Sequence, residues 1–114
     1  MNSRELEEIR KKFAEARQHL SYWTQIPPIE RRKSEVLKAH CENAIASLLA
    51  IVDMLEPPSS LNFPFPKKFD NVLEAHFGAY MWAHVAEWRC EQEGIDMSSE
   101  VPKYDLVPRP DWLK

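Results

Sequence analysis

Apolar side chains in the first part of the chain recur at Leu6, Ile9, Phe13, Ala16, Leu20 and Trp23, in alternating steps of three and four residues. At about 100° of turn per residue, this spacing draws one narrow seam down a face of an α-helix. Glu7 with Lys11 and Glu8 with Lys12 set opposite charges one turn apart on the wet side. Asn2 or Ser3 precedes the seam as a helix N-cap, with Glu5 three residues beyond Asn2 in the position of a capping box. This first helix is expected to pack along one line against a neighbour.

A second periodic segment runs from Ile29 to Glu56. Leu37, Cys41, Ala44, Leu48, Ile51 and Leu55 keep the same alternation, and Ile45, Leu49 and Val52 widen the stripe into a broad face. Pro28 suits the first turn of this helix, where a missing N–H leaves no bond unmade. On the opposite side Ala39, Asn43, Ala46 and Ala50 form a stripe of small residues, reflecting either alanine's helix propensity or the close approach of a further helix. A third segment opens at Phe69 and Asp70, with Asp70 as the expected N-cap, and closes at Gly94 in the C′ position that favours a left-handed residue. Its large apolar groups Leu73, Phe77, Tyr80, Met81, Trp82, Val85 and Trp88 spread over well more than half of the helix circumference. Two other helices of one chain would leave part of that surface wet, so the pattern predicts cover from the loop and tail or from another subunit.

The helix breakers agree with these boundaries. All nine prolines lie outside the helical interiors, and of the two glycines only Gly78 sits inside one. Proline lacks a backbone donor and clashes with the preceding turn, so it marks where helices stop. The stretch Pro57 to Lys68 is too proline-rich for a helix and too aromatic for a free linker, and Phe63 and Phe65 are expected to pin it onto the bundle. Ile95 to Lys114 reads as an extended strap anchored by Val101, Tyr104, Leu106, Val107, Trp112 and Leu113. It docks on its own third helix or is offered to a partner's groove. The expected architecture is an all-α three-helix bundle with long antiparallel second and third helices. It comprises a helical domain over residues 1–94, including a proline-rich loop, and an extended C-terminal tail over 95–114.

Composition narrows the function classes. With 44% hydrophobic and 29% charged residues in 114, the chain suits one soluble globular domain. A net charge of -3 argues against nucleic acid as a partner, since phosphate binding rests on clustered Lys and Arg. The basic runs Arg31-Arg32-Lys33 and Lys67-Lys68 are short and bounded by acidic or apolar residues. The charged first ten residues hold no signal-peptide core, and the apolar run Ala44 to Leu55 is too short for a bilayer. No membrane partner and a cytoplasmic location are expected. Cys41 and Cys90 lack zinc-site spacing and read as buried free thiols.

Candidate chemistry is sparse. His76, Tyr80, His84 and Glu87 share one arc of the third helix, so His40, His76 and His84 are the metal-ligand candidates from two neighbouring helices. No recognised ligand motif joins them. Cys41 follows His40 directly, about 100° away on a helix, which excludes a nucleophile–base dyad. There is no glycine-rich phosphate loop, and neither a catalytic residue nor a cofactor is expected. Tyr22, Arg31, Arg32 and Arg89 are the candidates for holding a nucleotide or anionic metabolite, by stacking and by charge. Tyr80, Trp82, Trp88, Tyr104 and Trp112 are the candidates for a protein partner. The excess apolar surface of the third helix favours the last class: a non-enzymatic adaptor or inhibitor that self-associates and binds a protein partner. Ligand sequestration and metal binding stand as the alternatives.

Overall fold

A computed structural model describes residues 2–55 and 68–113. Every regular element among them is helical: α1 (Ser3–Ser21), α2 (Pro28–Arg31), α3 (Glu35–Leu55) and α4 (Val72–Gln92), with short 3-10 turns at Tyr22–Gln25 and Asp111–Leu113. Of the two expected caps, Asn2 and Ser3, it is Asn2 that caps α1, its side chain accepting from Glu5 N at 2.9 Å. At the far end of α4, Gly94 takes φ of 73°. Its N–H donates to Glu91 O, and the Ile95 N–H donates to Cys90 O, at 3.0 and 2.9 Å. Those two bonds make a Schellman motif, with Ile95 folded back against the core.

Two helix starts differ from the sequence expectation. The second helix does not run unbroken from Ile29, because Arg32 to Ser34 form a turn between α2 and α3. Ser34 starts α3 afresh, its hydroxyl accepting from Leu37 N at 3.1 Å, and Glu35 favours the same end of the helix dipole. Asn71, not Asp70, caps α4: its side chain accepts from Glu74 N at 2.9 Å, with Glu74 in the third position of a capping box.

The direction of the helices is the larger correction. Arg89, near the end of α4, donates to the carbonyl of Leu55 at the end of α3. Arg32, just ahead of α3, borders Asn71, Val72 and Leu73 at the start of α4. Like ends meet, so α3 and α4 are parallel and not antiparallel. A helix of 21 residues rises about 30 Å, and the connection over residues 56–71 reaches about 50 Å if extended, so the chain can return to the starting end. Short connections make antiparallel neighbours; this one is long. Meanwhile α1 opposes both. His19 meets His40 while Glu15 meets Ser47, and Trp23 stacks on His76 while Leu6 and Arg10 lie beside Glu93 to Met97.

Helices α1 and α4 each pack most closely on α3. The buried side of α4 is built largely from small residues, Ala75, Gly78, Ala79, Ala83 and Ala86, which lets the backbones approach. Trp82, Val85 and Met81 fill the remaining interior, and Met97, Val101 and Leu113 of the tail enter the same core. Phe63 and Phe65 lie outside the described residues. Within the described part of the connection, Phe69 fastens the chain, its ring seated directly on Gly78.

Candidate functional site

One stripe runs the length of α4: Leu73, Phe77, Tyr80, His84, Glu87 and Glu91, in steps of four and three. The tail lies along its C-terminal part. The rings of Tyr104 and Tyr80 are 5.2 Å apart, and His84 donates from Nε2 to the Val107 carbonyl at 2.6 Å. Arg109 binds Glu91 through two parallel bonds of 2.8 and 2.9 Å and reaches Glu87 at 2.9 Å. Hydrogen bonding to Glu91 and then Glu87 raises the guanidinium pKa above its ordinary value despite partial burial. In the first part of the tail, Arg17 of α1 grips both the carbonyl and the carboxylate of Glu100. The tail is thereby tied in cis by charge as well as by the buried Val101, Val107 and Leu113.

The first two positions of the stripe are bare. Leu73 is 43% exposed and Phe77 is 52% exposed. With Phe69 and Glu74 they line a groove of about 370 Å³. A second hollow, of about 260 Å³, adjoins it and is lined by Arg32, Asn71, Val72 and Leu73. Leu73 is the wall common to both. The groove owes its shape to Gly78, since a side chain there would push the Phe69 ring off the helix.

Beside the groove, the turn after α1 meets α4 through stacked rings. Trp23 stacks on His76 at 3.6 Å, and Tyr80 and Tyr104 present to His76 at 5.1 and 5.3 Å in edge-on geometry. Arg31 lies over the Trp23 ring, 5.0 Å from its centroid, while its Nε donates to the carbonyls of Trp23 and Ile26. Burial first, and the Arg31 charge second, push His76 down to about 4, so its imidazole is neutral near pH 7. Burial likewise raises the Tyr80 hydroxyl, assisted by Cys41 and Tyr104. A neighbouring stack places Tyr22 on His40 at 4.0 Å, with His40 Nδ1 sharing one proton with His19 Nδ1 at 2.9 Å. Burial and the proximity of His40 lower the His19 pKa.

The residues singled out from the sequence are redistributed by this packing. His40, His76 and His84 do not converge: His40 pairs with His19, His76 is enclosed by aromatic rings, and His84 holds the tail. Among the described residues no group of three or more His, Cys, Asp or Glu is placed to hold a metal ion. Tyr22 and Arg31 belong to separate stacks, and Arg32 stands exposed at the start of α4. Arg89 is buried, not poised for an anion: its Nη2 binds the last carbonyl of α3 and, at 3.1 Å, Glu93. A guanidinium there satisfies an acceptor that the helix end leaves over. Of the partner-binding set, Trp82 is only 3% exposed and belongs to the core. Trp88 is half-buried, Tyr80 and Tyr104 pack together beside the groove, and Trp112 is exposed on the tail.

Cys41 and Cys90 are buried free thiols, pushed up to about 12 chiefly by burial, with Glu42 and Glu87 adding to it. Neither is a thiolate near pH 7. Sequence reasoning missed the roles of Phe69, Gly78 and Arg109. A lone glycine within a helix was a usable signal of close approach, whereas nothing local to Arg109 announces its pairing across the fold. No helix among the described residues is long and apolar enough to cross a membrane. No family model, curated protein or solved structure matches the chain.

Proposed function

We propose that the protein is a non-catalytic interaction protein of adaptor or inhibitor type, whose docking surface is the groove at the start of α4. The observation that carries this reading is the bare end of the α4 stripe. The tail covers that stripe from Tyr80 onward, yet Leu73 and Phe77 face solvent at 43% and 52% exposure. Exposed leucine and phenylalanine side by side on a helix bring an unfavourable hydration free energy that a protein partner relieves. Phe69 and Gly78 supply the concavity, and Arg32 and Glu74 frame it with charge, as an apolar docking centre with a polar rim requires.

The test is a photoreactive phenylalanine analogue at position 77, irradiated in living cells, with the same group at the exposed Glu7 of α1 as control. Specific adducts at position 77, with none at position 7, are expected. A chain that forms no adduct at position 77 removes the reading.

A further inference from the structure

Resting on that docking surface, we infer that its occupant is a second copy of this chain, related by a two-fold axis that runs along α4 over Leu73. Opposite charges stand on the two sides of the apolar pair. Val72 and Glu74 leave the helix about 100° to either side of Leu73. Arg32 shares the hollow on the Val72 side, and Glu74 lines the groove on the other. Both are exposed, and neither makes an ion pair among the described residues.

A two-fold axis in this direction exchanges the two sides of Leu73. It brings Arg32 opposite the partner's Glu74, and Glu74 opposite the partner's Arg32, so one contact becomes two ion pairs that bracket an apolar centre. Leu73 and Phe77 then lie against their own counterparts, removing both from water. An axis across α4 instead faces Arg32 with the partner's Arg32, and like charges oppose that arrangement. The tails lie along α4 from Tyr80 onward, so contact is confined to the first turns and the two helices diverge beyond them. An isologous patch also explains why opposite charges stand on opposite sides of Leu73, one in each of the two adjoining hollows.

The experiment uses the purified full chain in sedimentation velocity across a concentration series at low salt. Wild type is expected to dimerise. Arg32→Glu and Glu74→Arg, both at exposed positions, are each expected to weaken self-association by roughly tenfold or more, because both ion pairs turn repulsive. Mixed together, the two variants are expected to form a one-to-one dimer, since every facing pair is again of opposite sign. The double variant Arg32→Glu, Glu74→Arg recovers the homodimer. A monomeric wild type, a dimer that neither single variant weakens, or a weakened dimer that mixing the two variants does not restore overturns the inference.

The mass of the position-77 adduct separates this from failure of the wider reading. An adduct of twice the chain mass supports self-pairing. A single heterologous adduct with a monomeric purified chain ends self-pairing and leaves the docking surface standing. No adduct together with a monomer ends both.

Discussion

Replacing Gly78 by alanine sets two effects of opposite sign against each other. Alanine in a helix interior is favoured over glycine by about 1 kcal/mol. Against this, a Cβ at position 78 would lie 2.8 and 2.9 Å from Cε2 and Cε1 of Phe69, and closer still to Cζ. Such separations lie far inside contact distance, so the ring must leave its seat. A fully buried phenylalanine contributes about 1.5–3 kcal/mol, and Phe69 is half-buried, so its displacement forfeits about 1–2 kcal/mol, with further strain from the shifted chain before α4. The net expectation is destabilisation by about 1 kcal/mol.

In a Phe69→Ala background the obstacle is gone, and Gly78→Ala should then stabilise by about 1 kcal/mol, a coupling of about 2 kcal/mol. Urea unfolding of wild type, both single variants and the double variant, followed by circular dichroism, measures the cycle. A coupling below about 0.5 kcal/mol would refute the claim that the glycine exists to seat the ring. Because Phe69 is also a wall of the groove, Gly78→Ala should weaken docking at Phe77 in the same step.

Three further outcomes follow from other contacts. His76 is neutral when folded down to about 4, against 6.5 for an ordinary histidine, so the unfolded chain takes up the proton first as pH falls. Stability should therefore hold above pH 6.5, decline below it by about 2 kcal/mol between pH 7 and 5, and level off beneath the folded pKa; His76→Gln should remove most of that slope, and an unaltered slope in denaturant unfolding contradicts it. Asn71→Ala should cost about 1 kcal/mol through loss of the α4 cap, whereas Asp70→Ala should change thermal stability little; the reverse order would restore Asp70 as the cap. Arg109→Ala leaves Glu87, 11% exposed, without its ion-pair partner and unties the strap, so amide exchange over residues 101–110 should accelerate while that of α3 holds; equal protection in the two proteins would show that apolar anchoring alone retains the tail.

Where the helices are, and where most of them end, was legible because those features depend on neighbours within four residues. The Asn2 cap, the Gly94 stop and the apolar alternation of α3 act over that range, and tertiary contacts had no reason to overrule them. Even the two misplaced starts lie within a few residues of a capping side chain, Ser34 or Asn71, visible in the chain. The candidate site was readable only as an inventory. Tyr80 and Tyr104 were singled out for a protein partner, His76 for a metal and Arg31 for an anion, yet they share one packed cluster, because ring stacking joins residues far apart in sequence.

The amino-acid sequence by itself pointed to the all-helical character of the described residues and to an α4 apolar around most of its circumference, since periodicity and propensity are local properties. Only the tertiary structure decided that α3 and α4 run parallel, because helix direction is set by which ends meet across the fold and not by any local pattern. The same packing selected which apolar groups of α4 stay wet. Small residues turn inward where backbones meet, the tail is drawn over Tyr80 to Glu91 by Arg109, and Leu73 and Phe77 remain outside because no described element of the chain reaches over them.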